Sequence, residues 1–384
     1  MPRSPTVLAS QDDPVQFQKY LIVEKLFSEV GLRGRSKSGN FIWTLYLSGG
    51  KVKSMPYILQ EILGFLICSA LIVYSGSRLS RYADMMADAF GWGKMFMGIL
   101  LLAAVTSLPE LVSGIGATVV IDAPDLAVGD IVGSCVFNVL IISIMDVFYD
   151  AKKPVISAAQ IGHVIAASFG ILLLSVVGLS IVKPSILGSI GWIGGFSFAF
   201  LFLYVVSMRV IFLYEQRHSA SRSDANMHSQ TSQIVVFFSL HALVVTLAAL
   251  ALPYFGDHLA KATGLGQSFF GTLFVAASTS LPEIVVSVAA IRLGSIDLAI
   301  GNIFGSNIFN IAILAIDDIL YKKGPIFQYT SPNHIIPLFG AIIATSIGII
   351  GLIYKSEKKW KLALDSFLIL VTYVTVIVIL YLNR

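Results

Sequence analysis

The feature that most restricts the fold of this chain is a duplicated pair of motifs. Val105-Thr106-Ser107-Leu108-Pro109-Glu110 is followed by Gly129-Asp130-Ile131-Val132-Gly133-Ser134-Cys135-Val136-Phe137-Asn138. Ser278-Thr279-Ser280-Leu281-Pro282-Glu283 is followed by Gly301-Asn302-Ile303-Phe304-Gly305-Ser306-Asn307-Ile308-Phe309-Asn310. The copies are offset by 173 residues at the glutamates and 172 at the Gly-x-x-x-Gly-Ser runs, so a one-residue indel separates them. Two copies of one unit need equivalent surroundings, and hydropathy says what those are. The 384 residues are 56% hydrophobic and 12% charged, about half the charged fraction of a soluble domain. Apolar blocks occupy residues 57–76, 94–119, 126–148, 159–181 and 187–213, and then 234–254, 266–291, 298–320, 334–354 and 362–382. Each approaches or exceeds the ~20 residues that cross a ~30 Å hydrocarbon layer as a helix. The pattern predicts an all-α integral membrane protein with ten transmembrane helices. From the second helix to the seventh is five spans, an odd number, so the two motif copies enter the membrane from opposite faces. The expected architecture is therefore two inverted five-helix repeats, 57–213 and 234–384, a layout whose sites lie near the midplane at the repeat interface.

A polar arm, residues 1–56, precedes the first repeat and holds eight of the 26 Lys and Arg residues. It lacks the basic start, apolar core and small-residue cleavage site of a signal peptide, so the first helix is expected to act as its own insertion signal. With Met55 immediately before the first apolar block, the arm is expected to be either a partly disordered appendage or an over-extended start. Leaving out the arm, assigning Lys and Arg to alternate loops gives thirteen on the side of the polar linker 214–233 and five on the other. That excess predicts a cytoplasmic linker in a multi-pass protein of a plasma or bacterial inner membrane, although Lys51 and Lys53 oppose it. Cys68 and Cys135 fall inside apolar blocks, which argues against a disulfide framework or thiolate metal site. No basic stripe with interleaved aromatics suggests nucleic acid. The partners expected are the lipid bilayer and inorganic cations, with no cofactor.

The motifs carry the chemistry. Thr106, Ser107 and Glu110 fall on one helical face, as do Thr279, Ser280 and Glu283. Pro109 and Pro282 have no N–H, so each frees the carbonyl four residues earlier, that of Val105 and that of Ser278. Carboxylates, hydroxyls and carbonyls are hard oxygen ligands, suited to Ca²⁺ or Na⁺ rather than to soft transition metals. In the third and eighth helices Ser134 with Asn138, and Ser306 with Asn310, again share a face. Gly129 with Gly133, and Gly301 with Gly305, are small-xxx-small pairs that admit a neighbouring helix. The expected site is built on Glu110, Glu283, Asn138 and Asn310, with Thr106, Ser107, Ser134, Thr279, Ser280 and Ser306 completing it. Asp130 is a further candidate, open between a site acid, a pathway residue and a helix-end residue.

On both Thr-Ser-Leu-Pro-Glu and both Gly-x-x-x-Gly-Ser-x-x-x-Asn motifs, the chain resembles the sodium/calcium exchanger family within the cation/Ca²⁺ antiporters. The resemblance implies that Glu110 and Glu283 are the central cation-binding acids and that the transported ions are Ca²⁺ and Na⁺. The family usually has Gly where this chain has Val105 and Ser278, and Asn where it has Asp130 and Cys135. Some members carry an acid at the position of Asn310. Two ionised glutamates carry a charge matched by one Ca²⁺, two Na⁺ or two protons. An ionised acid at a helix centre costs about 2.5–3.5 kcal/mol on insertion scales, so an empty site crosses unfavourably and exchange follows. A cation/proton antiporter keeps the fold and lets each glutamate cycle its proton. An intramembrane enzyme using the paired acids is a remote reading, because the motifs hold no histidine, Lys/Arg phosphate cluster or nucleophile. A passive channel would conduct without countertransport.

Elsewhere the expectations are plainer. Asp125 and Asp297, matched between the repeats just before helices, are expected to be N-caps. Glu61, Asp146, Asp317 and Asp318 are expected at helix ends near the interface and not as ligands. The six histidines lie outside the motifs. The linker shows no EF-hand-like loop, and Lys355–Lys361 is expected to hold a loop against anionic headgroups.

Overall fold

The computed structural model describes residues 55–120, 122–149, 153–218, 231–262, 279–355 and 362–382. The arm to residue 54, most of the linker, the first half of the seventh apolar block with Ser278, and all of the Lys355–Lys361 run except Lys355 lie outside these residues. The main elements are α1 (Met55–Phe90), α2 (Lys94–Thr106), α3 (Leu108–Val120), α4 (Pro124–Phe148), α5 (His163–Val182) and α6 (Gly195–His218). They continue with α7 (Thr231–Ala262), α8 (Leu281–Arg292), α9 (Ile296–Leu320), α10 (Ile335–Tyr354) and α11 (Leu364–Leu382). Among the described residues eight helices are long and apolar enough to cross a bilayer alone, and α2 with α3 make a ninth span bent by 42°. The remaining expected span, the seventh, is described only from Thr279, where α8 supplies its second half. The protein is thus an all-α, multi-pass membrane protein. The described exception is a hairpin, Ser189–Ile190 against Ile193–Gly194, closed by Gly191-Trp192 with Gly191 at φ +63°.

The duplicated motif produces the same break twice. Ser107 has φ −92°, ψ 7° and Ser280 has φ −94°, ψ 11°, the sparsely populated bridge region. A proline two residues on cannot supply the N–H that a continuous helix needs, so a helix begins just after each serine. The one-residue indel has a structural address as well. Both connectors that follow have three residues, but α3 is one residue longer than α8 and ends in a π turn, Gly116–Val120. A π turn absorbs one extra residue without breaking the helix.

The motif helices α4 and α9 form the centre. Of their most apolar stretches 72% and 89% are buried, against 28% for α1 and 22% for α11, whose large apolar side chains face outwards. α9 lies tight against α2, because a Cβ at Gly305 would stand 2.5 Å from the Ile99 backbone and one at Gly301 2.6 Å from the Met95 carbonyl. The segment matching α2 by the repeat offset falls on residues 267–279, of which only Thr279 is described. Gly305→Ala is expected to force this contact apart and destabilise the protein by about 1–3 kcal/mol. A lowered melting temperature in detergent, with Gly133→Ala as comparison, checks it.

Hydrogen bonds between connections sort into two ends of the bundle. At one end Lys323 pairs with Asp122, and Asp125 Oδ1 accepts from Ser331 N at 2.6 Å and His334 Nε2 at 2.9 Å. At the other Lys94 pairs with Asp84 at 2.6 Å, and Asp297 Oδ1 accepts from Gln160 N at 2.7 Å and His163 Nε2 at 3.2 Å. Every one of these contacts joins segments that alternate crossing places at the same face. They also correct the capping expectation. The N-caps are Ala123 and Ser295, without side-chain cap bonds. Asp125 and Asp297 sit inside the first turn and reach across to the other half of the chain. Backbone N–H groups left over by a neighbouring connection are the stronger claim on a carboxylate than its own helix end, whose N–H groups point along the axis.

The four acids expected towards helix ends are buried within the protein. Asp146 and Asp318 are wholly buried. Asp146 accepts Val155 N at 3.1 Å and Ala363 N at 2.8 Å, and Asp318 accepts Ile326 N at 2.6 Å and Gly194 N at 2.7 Å. Each holds a connection of its own half and one of the other. Glu61 is buried between α1 and α7 and takes His258 Nδ1 at 3.0 Å. Asp317 is wholly buried in α9.

Candidate cation-binding site

The helix breaks give the glutamates a particular setting. Each stands in the first turn of a restarted helix, Glu110 in α3 and Glu283 in α8, where the macrodipole favours negative charge. Both are buried, and they lie close enough to repel one another. Around them Thr106, Ser107, Ser134, Asn138, Ser280, Ser306 and Asn310 are buried as well. Thr106 Oγ1 is 3.4 Å from Ser306 Oγ and from Asn302 Oδ1, joining α2 to α9, and it lies beside Glu283. Asn307 ties α9 to α4 across the centre: Asn138 Nδ2 donates to Asn307 Oδ1 at 3.1 Å, and Asn307 Nδ2 donates to the Cys135 carbonyl at 3.1 Å. Asn310 Nδ2 faces Cys135 Sγ at 3.9 Å.

What remains after these bonds is the informative part. Ser107 Oγ, Glu110 Oε2, Asn138 Oδ1, both Glu283 oxygens and Asn310 Oδ1 are buried without a hydrogen-bond partner. Buried polar atoms are normally satisfied, and each exception asks for a cause. Both amide nitrogens are turned to protein partners, so every asparagine oxygen left over is an acceptor. A cluster of acceptors whose one donor is the Ser107 hydroxyl suits a cation, which supplies what hydrogen-bond donors do not.

The other expected residues divide. The Val105 carbonyl, freed by Pro109, takes an N–H from the cap of α2 and keeps its second lone pair. The Ser278 carbonyl lies outside the described residues, and Thr279 is the first described residue of its segment, half-buried. Asp130 is half-buried in α4, within electrostatic reach of Glu110. Three residues were passed over in the sequence: Asn302, Asn307 and Ser287. Asn302 holds Thr106 and donates to Ser287 Oγ at 3.0 Å. The signal was available, because Asn302 and Asn307 occupy the motif positions where the first copy carries Asp130 and Cys135.

Comparison with known proteins bears on the family and the fold. A family model described as sodium/calcium exchanger protein matches residues 61–212 and again 232–382. The chain is 25% identical over 360 residues to the sodium/calcium exchanger MaX1 of Methanosarcina acetivorans, covering 84% of this chain and 99% of that one. It is 27% identical over 255 residues to the inner membrane protein YrbG of Escherichia coli, covering 64% and 74%. Its fold superposes on the sodium-calcium exchanger NCX_Mj, soaked with 10 mM Na⁺ and zero Ca²⁺, with a TM-score of 0.67 at 19% identity, over 84% of this chain and 99% of that one.

Proposed function

We propose, on the premise that the chain belongs to the sodium/calcium exchanger protein family, that it moves Ca²⁺ against Na⁺ by alternating access through a site centred on Glu110 and Glu283. A member of this family is a secondary transporter and not an enzyme. The observation that carries the reading to particular residues is the set of buried oxygens of Ser107, Glu110, Asn138, Glu283 and Asn310 that accept no hydrogen bond. They come from both halves of the chain, as a site between inverted repeats requires. Two ionised glutamates match one Ca²⁺ or two Na⁺, and the occupied, neutralised site crosses more easily than the empty one. The linker 214–233 then faces the cytoplasm, as the Lys and Arg distribution favours.

The test is ⁴⁵Ca²⁺ uptake into proteoliposomes loaded with Na⁺, beside a matched set carrying only a pH gradient. Uptake driven by outward Na⁺ is the expected result. Uptake driven only by protons replaces the reading with cation/proton antiport through the same glutamates, and uptake driven by neither removes Ca²⁺ as the cargo.

A further inference from the structure

The two halves part company one helical turn beyond the glutamates. In the second half the residue four positions after Glu283 is Ser287, whose hydroxyl accepts Asn302 Nδ2 at 3.0 Å, a neutral and satisfied pair. In the first half the matching residues are Gly114 and Asp130, and a third residue joins them. Asp317 of α9 is wholly buried, and neither of its carboxylate oxygens accepts a hydrogen bond. Its position matches Met145 in the other half, so this acid has no symmetric counterpart. The carboxylate is aimed at Gly114, where an added Cβ would stand 2.7 Å from Oδ1 and 2.8 Å from Cγ. Gly114 and Glu110 are four residues apart on one face of α3, separated by about 6 Å along its axis. Asp130 lies within electrostatic reach of both Asp317 and Glu110.

We propose that Asp317 and Asp130 form a second cation station, one turn from the central glutamates and towards the end marked by the Asp122–Lys323 pair. The proposal rests on the central-site reading and deepens it, since the ligand is a hard cation of the same class as the cargo. A carboxylate buried without donors, with a further acid beside it, is neutralised by a proton or by a bound cation, and binding counts tell the two apart. Gly114 keeps the space open where Ser287 closes it in the other half. The station is therefore one-sided: it serves the face opposite the 214–233 linker and has no equivalent on the linker face.

Equilibrium binding of ⁴⁵Ca²⁺, and separately of ²²Na⁺, to the purified full chain counts the sites. Asp317→Asn keeps the shape and removes the charge, and it is expected to bind one cation fewer than the wild type. Glu110→Gln with Glu283→Gln is expected to retain a residual site that disappears when Asp317→Asn is added. In sided proteoliposomes Asp317→Asn is expected to raise half-saturating Ca²⁺ by about fivefold or more on the face opposite the linker, with the linker face unchanged. Equal site numbers in wild type and Asp317→Asn, with equal half-saturation on both faces, overturn the station and leave the central site standing. Normal exchange by the double glutamine variant overturns the central reading instead.

Discussion

Glu110→Gln and Glu283→Gln are each expected to abolish cation exchange while expression, membrane insertion and melting temperature stay near wild type. Glutamine fills the same volume, so the packing of α3 and α8 is retained, but half of the central charge is lost and an amide donor can turn towards the cation. Removing one partner of a buried charge pair costs about 2–5 kcal/mol, which is about 30-fold to several thousand-fold in affinity. Folding does not suffer equally, because Glu110 Oε2 and both Glu283 oxygens make no hydrogen bond that the substitution would break. Two repelling acids at the centre of a membrane protein are a cost to the fold, so the neutral variants are expected to melt at or slightly above the wild-type temperature. Flux of ⁴⁵Ca²⁺ and a thermal melt on the same preparations separate the two effects. Near-normal flux in either variant would remove that glutamate from the site.

Asp318→Ala is expected to act in the opposite sense, on the fold and not on the ion. Its carboxylate accepts Ile326 N at 2.6 Å, Gly194 N at 2.7 Å and Ser197 Oγ at 2.5 Å, all in buried surroundings. Alanine strands these donors at about 1–3 kcal/mol each, a large part of the roughly 5–15 kcal/mol that separates folded from unfolded states. The hairpin and the connection that follows α9 lose their shared anchor together. A fall of about 10 °C in melting temperature is expected, with the same direction for Asp146→Ala, which strands Val155 N and Ala363 N. Asp318→Ala protein that melts within two or three degrees of wild type would show that these bonds are replaced by others.

The contrast between Glu110 and Asp318 shows what can be read from one dimension. Both are acids in apolar helices. The glutamate is recognisable because its neighbours, Thr106, Ser107 and Pro109, repeat around Glu283, and a proline that opens a helix beside an acid has a chemical consequence wherever the helix is packed. Asp318 also has a partner in the other half, Asp146, but what each does depends on N–H groups 8 to 217 residues away. No local pattern names those donors. Asp125 and Asp297 fail as expected caps for the same reason, since their partners belong to the opposite half of the chain.

The sequence by itself determined that this is a membrane protein, that its motif is duplicated, that a single residue separates the copies, and which motif side chains bring oxygen atoms. These follow from hydropathy, spacing and the missing N–H of proline, all of which act within a few helical turns. Only the tertiary structure decided which oxygens are left without donors, that the extra residue becomes a π turn in α3, and that Gly114 makes room for an acid from α9. Those outcomes depend on which helices meet, and on which donors have already been taken when they do.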